Sequence, residues 1–248
     1  MTVTAGIIII GDEILSGRTK DLNINWIATE LNQIGIRLIE ARVIIDDKDT
    51  IVEVINKFRK KFTYVFSCGG IGPTHDDITT ESVASAFNLQ LEKNNEAMER
   101  LNLHYSNTKV EFNEARQKMA IIPKGATLID NPVSAAPGFR IENVFVFAGV
   151  PRIMQGMFKS ISDQLSGGEI LNSVTVTSNI GEGLIAKSLE EIERKYEGLK
   201  IGSYPYFKPN SFGTSIVLRS EKIGIVNEAL TEVLKAIKNN GGSGAIVN

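Results

Sequence analysis

The chain has 248 residues, 42% of them hydrophobic and 23% charged, with a formal net charge of −2 from 27 basic and 29 acidic side chains. This balance describes a globular protein with a real core, of a length that fits one large domain and one small one, and it argues against long disordered tails and against a polybasic surface for nucleic acid or membrane. One cysteine, Cys68, and two histidines argue against an internal disulfide and a Cys/His zinc site, and point to a reducing, cytoplasmic compartment.

The first apolar run stops at Gly11-Asp12-Glu13. It is short of the ~18 apolar residues of a membrane helix and lacks the basic start of a signal peptide. Ile7 to Ile10 are continuously β-branched, as in a strand buried on both faces. Ile24, Ile27, Ala28, Leu31 and Ile34 follow at helical spacing, and Gly35 ends that helix. Residues 36–45 predict a second strand, Asp49 a cap for a helix carrying Ile51, Val54, Ile55 and Phe58, and residues 62–66 a third strand.

Strand, helix, strand, helix, strand predicts a parallel sheet with right-handed crossovers. Helices are then expected over residues 77–87, 94–103 and 109–120, strands near 126–129, 138–141 and 144–147, and a helix from Pro151. The texture changes at Ser166-Gly167-Gly168. Strand 173–178, helix 182–196, strands 199–204 and 214–218, and helix 222–237 predict a small α+β domain. It is ferredoxin-like if Ala245 to Val247 add one strand. The expected division is 1–165 for the α/β domain and 170–248 for the small one.

The strongest chemical signal is Gly69-Gly70-Ile71-Gly72-Pro73-Thr74-His75-Asp76-Asp77, between a buried strand and a helix. Glycines let backbone approach a ligand, and loop N–H groups with a helix start suit phosphate. Carboxylates beside a bare phosphate repel it. Asp76 and Asp77 therefore suggest a divalent cation bridging to phosphate, unless one of them merely caps the helix. Neither a P-loop nor a dinucleotide GxGxxG is present.

Gly11-Asp12-Glu13 follows the first strand, and if strands one and three are neighbours it faces the glycine loop across a crevice. Asn131 to Phe139 is either a close-packing seat for a ring or ribose, with Ser134 as a hydroxyl, or a plain turn. Arg152 either meets phosphate or is solvated. His75 is either an acid–base group or a structural donor. His104 is expected to have no role, Cys68 to be an inert apolar residue, and Trp26 to be core.

These segments, with Gly149-Val150-Pro151, resemble the molybdopterin-binding-like domain. More narrowly they resemble the competence/damage-inducible protein A branch and the N-terminal domain of eukaryotic FAD synthase, and Lys200 to Pro205 is similar to that branch's following small domain. The resemblance implies a three-layer α/β/α domain with a mostly parallel sheet. It also implies metal-dependent hydrolysis of a nucleotide pyrophosphate such as ADP-ribose or FAD, and a dimer or trimer.

Carried onto this chain, Asp76, Asp77 and Asp12 are the catalytic candidates, with Asp76 and Asp77 holding Mg²⁺, Mn²⁺ or Co²⁺. Gly11, Glu13, Gly69, Gly70, Ile71, Gly72, Thr74 and Ser134 are the candidates for substrate and phosphate. Cousins in molybdenum cofactor synthesis, which adenylylate a pterin phosphate, usually have Thr at Ile71, which shifts the expectation to hydrolysis. Pterin adenylyl transfer and a non-catalytic nucleotide binder remain the alternatives. Cys68 replaces a small residue or Thr, and Ala148 a Pro. The residues after 165 are taken up by the small unit, so the deamidase activity of longer members is expected to be absent.

Overall fold

A computed structural model describes residues 2–209 and 211–247; Met1, Asn210 and Asn248 lie outside the described residues. The chain divides into two compact units, 1–168 and 169–248. In the first, the parallel strands β1 (Val3–Ile10), β2 (Ile36–Ile44) and β3 (Tyr64–Cys68) are joined through helices α1 (Asp12–Leu15), α2 (Asn23–Gln33) and α3 (Lys48–Lys61). Helix α4 (Thr79–Ala86) leads to the ribbon of β4 (Leu91–Lys93) and β5 (Ile121–Pro123), with α5 (Asn95–Ser106) and α6 (Glu114–Gln117) between them. Strands β6 (Thr127–Ile129), β7 (Gly138–Ile141) and β8 (Val144–Phe147) return to the main sheet before α7 (Pro151–Ile161). The sheet order is β2-β1-β3-β8-β7-β6, parallel through β8 and antiparallel beyond it.

Alternation along the buried strands builds three layers. Ile7 and Ile9, Phe66, and Phe145 and Phe147 face one side, against Ile27 and Leu31 of α2 and Met154, Met157 and Phe158 of α7. Ile8 and Ile10, Val65, and Val144 and Val146 face the other, against Val54, Ile55 and Phe58 of α3 and Val83 of α4. Successive side chains on a strand point to opposite faces, so an unbroken apolar run is what a doubly covered sheet requires. Trp26 packs edge-on against Phe158, with centroids 5.5 Å apart, as a core residue.

Strand ends shift by up to four residues from the sequence expectation, the third strand being Tyr64–Cys68 rather than 62–66, and three helix starts differ for local reasons. Helix α3 is capped by Asp47, whose Oδ1 accepts the Thr50 N–H at 2.9 Å and the Thr50 hydroxyl at 2.7 Å, while Asp49 sits in the first turn. The helix expected over 109–120 is only α6 and a 3₁₀ turn at Lys118–Ala120, because Asn113 caps α6 by accepting the Arg116 N–H and leaves the preceding residues as loop. Helix α4 begins at Thr79 rather than at residue 77, for a reason that belongs to the site.

The second unit contains β9 (Asn172–Ser178), α8 (Glu182–Lys195), β10 (Lys200–Lys208), β11 (Ser211–Ser220), α9 (Ile223–Asn239) and β12 (Gly244–Val247). Its antiparallel order, β10-β11-β9-β12, is the ferredoxin-like arrangement, with Ile185 and Leu189 of α8 and Val226 and Val233 of α9 covering one face. Among the described residues of both units, no helix is long and apolar enough to cross a membrane.

Phe66 is fully buried, with its ring 5.5 Å from Phe145, 6.0 Å from Phe147 and 5.7 Å from Phe158. Phe66→Ala should cost about 3–5 kcal/mol. The sole tryptophan, Trp26, lies in the same unit and reports its unfolding. Urea titration followed by Trp26 fluorescence should show this loss, and an unchanged midpoint would contradict the packing described.

Candidate active site

Strand β1 pairs with β2 on one side and β3 on the other, so the chain direction across the sheet reverses between β1 and β3. Loops at the carboxyl ends of strands diverge at such a point and leave a crevice. Here it is a cavity of about 770 Å³. The loop after β1 contributes Gly11, Glu13, Arg18 and Thr19, the end of β2 contributes Asp46, and the loop after β3 contributes Gly69 to Pro73, Asp76 and Asp77. Ser134 and Asn131, the Gly149–Pro151 turn, and His104 and Tyr105 close the rest.

The glycine loop owes its path to close backbone contact. Gly69 has φ 111°, and a Cβ there would stand 2.1 Å from the Ile10 carbonyl oxygen. Gly70 has φ 67°, and a Cβ there would stand 2.2 Å from Thr79 Oγ1. Side-chain-bearing residues rarely adopt such a backbone. The Gly69 N–H donates to Phe147 at 3.1 Å and the Thr79 N–H donates to the Gly70 carbonyl at 2.9 Å, so both ends of the loop are fastened. Between them, no acceptor among the described residues takes the N–H groups of Gly70, Ile71 and Gly72. Consecutive open N–H groups in such a turn form an anion-binding concavity.

Neither Asp76 nor Asp77 caps α4, whose first turn has no side-chain cap. Asp77 Oδ2 accepts the Thr74 N–H at 2.8 Å and the Thr74 hydroxyl, which bends residues 74–77 into a turn and delays the helix to Thr79. Lys118 Nζ donates to the carbonyls of Thr74 and Asp77, both at 2.9 Å, and clamps that turn. The one proton of the Thr74 hydroxyl is shared between Asp77 and Asp76. Hydrogen bonding to Thr74, then to its own N–H, with the charges of His75 and Lys118, holds the Asp76 carboxyl below the usual carboxylate range. Asp76 is therefore ionised at neutral pH.

Asp46 behaves oppositely. Burial, assisted by the charges of Asp12, Glu13 and Asp76, pushes its carboxyl up, although the Asp12 N–H donates to its Oδ2 at 2.9 Å. The wall thus carries four carboxylates, Glu13, Asp46, Asp76 and Asp77, against one guanidinium, Arg18. No ion pair to Arg18 is formed among the described residues.

Of the residues singled out from sequence, Gly11, Glu13, Gly69, Gly70, Ile71, Gly72, Asp76, Asp77 and Ser134 line the cavity, whereas Asp12 and Thr74 are not among its lining residues. His75 acts on the site through its charge on Asp76. Arg152 is not in the wall, although its neighbours Pro151 and Ile153 are. Cys68 is buried, and burial pushes its thiol up, away from nucleophilic chemistry. Ser134 is held by Asn131, whose Nδ2 donates to the Ser134 hydroxyl and the Ala136 carbonyl, each at 2.7 Å. That leaves the hydroxyl proton of Ser134 for a ligand.

Sequence reasoning missed Arg18, Asp46 and Tyr105 and dismissed His104, which the structure corrects by placing it in the wall. Asp46 carried a usable signal, since it follows the second parallel strand at the same end of the sheet. His104 and Tyr105 carried none, because only the fold brings the end of α5 to the crevice.

A divalent ion fits this donor set in kind. Carboxylate oxygens are hard ligands, and Mg²⁺ is commonly held by one or two carboxylates plus substrate phosphates rather than by a protein cage. Among the described residues no group of three or more acidic, His or Cys side chains stands ready to enclose an ion.

Residues 6–167 match the family model described as a probable molybdopterin binding domain, and residues 171–242 the one described as the middle domain of FAD synthase. A protein of Archaeoglobus fulgidus is 37% identical over 199 residues, 80% of this chain and 84% of its own length. A probable FAD synthase of Caenorhabditis briggsae is 31% identical over 258 residues, covering 93% of this chain and 49% of its own, so this chain spans about half of that relative. The crystal structure of the protein CinA from Thermoplasma acidophilum, described as of unknown function, is similar with a TM-score of 0.61 at 31% identity, over 66% of this chain and 99% of that one.

The raised Asp46 carboxyl has a pH signature. Ionised Asp46 is disfavoured in the fold, so its contribution to stability is fully present below the ordinary unfolded value, about 3.9, and is lost as pH rises through the higher folded value. Asp46→Asn keeps an oxygen for the Asp12 N–H and removes the charge. In EDTA, thermal melts from pH 3.5 to 7 should show the variant gaining on the wild type as pH rises; a constant gap would refute the crowding of charge at Asp46.

Proposed function

The chain belongs to the molybdopterin-binding domain family, and from that premise we propose that its cavity binds a nucleotide phosphoanhydride of the ADP-ribose or FAD class and hydrolyses it with a divalent metal ion, Mg²⁺, Mn²⁺ or Co²⁺. The observation that carries this reading is that the open N–H groups of Gly70, Ile71 and Gly72 and the carboxylates of Asp76 and Asp77 belong to residues lining one cavity. Neither half suffices. The N–H row asks for an anion, and the carboxylates repel one unless a cation lies between.

Asp76, kept ionised, and the Asp77 oxygen not engaged by Thr74 would hold the ion. When bound, it supplies neutralisation of phosphoryl charge and a more acidic water. The chain's own groups do the rest. Gly70 to Gly72 hold one phosphate by N–H donation, and a preorganised donor row costs no rearrangement as charge develops. Arg18 approaches from the Gly11 loop and pairs with the second phosphate. Ser134 donates its hydroxyl proton to a sugar or phosphate oxygen. The oxygen of water bonds to the adenylyl phosphorus as the bridging P–O bond breaks. The bridging oxygen leaves with its electron pair on the second phosphate, giving AMP and a phosphomonoester.

Adenylyl transfer is the second reading, favoured by the family's description and by the FAD synthase relatives. The same cradle serves it, with the phosphate of an acceptor such as a pterin taking the place of water. Binding of nucleotide without turnover is the remaining alternative.

The purified chain should release AMP from FAD or ADP-ribose with Mg²⁺, Mn²⁺ or Co²⁺ and not in EDTA, read by chromatography. Asp76→Asn should lower kcat about 100-fold or more with the fold intact; full activity in that variant would end the assignment. If pyrophosphate instead appears with ATP and a phosphorylated acceptor, transfer is the reaction. Arg18→Gln should raise KM about tenfold and leave kcat nearly unchanged, as expected for a charged hydrogen bond made equally in ground and transition states. An unchanged KM would remove Arg18 from the phosphate site.

A further inference from the structure

A phosphoanhydride occupies only part of a cavity of about 770 Å³. The cavity is also lined by the last turn of α5, where His104 and Tyr105 are the only aromatic rings among its described wall residues. The two rings meet edge to face, with centroids 5.2 Å apart and planes at 85°. Two flat surfaces at a right angle make a corner. Tyr105 cannot swing freely, because it is stacked on Phe112 at 5.3 Å and 15° and has the Arg116 guanidinium 5.3 Å from its ring centre. Met119 and Ala136, packed in the same small cluster as Tyr105, line the cavity next to it. A thioether adjusts its shape to a flat ligand, and a methyl leaves room for one.

We propose that this corner seats the flat heterocycle of the ligand, the adenine, flavin or pterin ring, while its phosphates lie on the N–H groups of Gly70 to Gly72. The inference rests on the phosphate reading above, since it assigns ring and phosphates to two ends of one cavity. Because the Tyr105 ring already carries Phe112 and the Arg116 guanidinium, a ligand ring in the corner stacks on His104 and meets the edge of Tyr105, an arrangement aromatic pairs favour. Stacking is indifferent to the pattern of ring substituents, because every such heterocycle has a π-face. The corner therefore selects for a planar heterocycle as a class, and finer selection among rings falls to Ser134 and the Gly149–Pro151 turn.

Calorimetry on the full chain with Mg²⁺ separates the two ends, using inorganic pyrophosphate for the phosphates, adenosine for the ring and ADP-ribose for both. His104→Leu and Tyr105→Leu should each weaken adenosine and ADP-ribose by ~5-fold or more and leave pyrophosphate unchanged, while Tyr105→Phe binds all three like the wild type. Upfield ring-current shifts of the adenine H2 and H8 protons should shrink in both leucine variants, a signature that a merely structural role would not produce. If Tyr105→Leu fails to fold, His104→Leu decides, since the one ring contact of His104 among the described residues is Tyr105.

The ring seat is overturned if folded leucine variants bind adenosine as tightly as the wild type, if they lose pyrophosphate equally, or if the wild type binds ADP-ribose no more tightly than pyrophosphate. A wild type that binds adenosine through His104 and Tyr105 but never pyrophosphate would support the seat and overturn the phosphate reading. Binding of none of the three would overturn both.

Discussion

The backbone contact at Gly69 is the constraint on which the site depends. The N–H of Gly69 reaches Phe147 at the end of β8, its α-carbon leaves no space for a side chain against the Ile10 carbonyl at the end of β1, and a Cβ on Gly149 would stand 3.2 Å from it. Three parallel strands therefore end backbone against backbone. With no side chain to hold them apart, the loops after β1, β3 and β8 open onto one crevice instead of three separate surfaces. The open N–H row, the carboxylates and the Gly149 turn are neighbours for that reason.

Around this contact the polar groups divide into two sets. Those with a structural duty are satisfied inside the protein: Lys118 on the carbonyls of Thr74 and Asp77, and Asn131 on Ser134 and Ala136. Those that face the cavity are left open or crowded: the N–H groups of Gly70 to Gly72, Arg18, and Asp46 with its raised carboxyl. A buried polar group without a partner costs stability, so a fold keeps such groups only where solvent or a ligand can meet them. The fastened set makes the loops rigid, and the open set is what a ligand finds there. Asp77 belongs to both, with one oxygen closing the turn on Thr74 while the residue lines the cavity.

How much was legible beforehand depended on how local the physics was. Ile7 to Ile10 announced a strand covered on both faces, and the two core clusters divide those four residues between them. The glycines and aspartates of the loop after β3 announced a cavity-lining turn because strand, tight turn and helix lie within a few residues. The errors fell where a side chain chose between nearby partners. Asp47 took the cap expected of Asp49 because it reaches the Thr50 N–H, Asn113 interrupted the helix expected over 109–120, and Asp77 turned back to Thr74 instead of starting α4.

By itself the sequence determined the three-layer α/β domain, the antiparallel α+β unit after it and the tight glycine turn between β3 and α4, because hydrophobic period, glycine placement and charge act over short stretches of chain. Only the tertiary structure decided that Asp46, rather than Asp12, lines the cavity, that Lys118 clamps the loop from about forty residues away, and that His104 and Tyr105 line the same cavity. Those residues come from strand ends and helix turns with no periodic signature. They meet because sheet order and crossover direction bring distant loops to the same end of the strands, and no pattern read along the chain contains that distance.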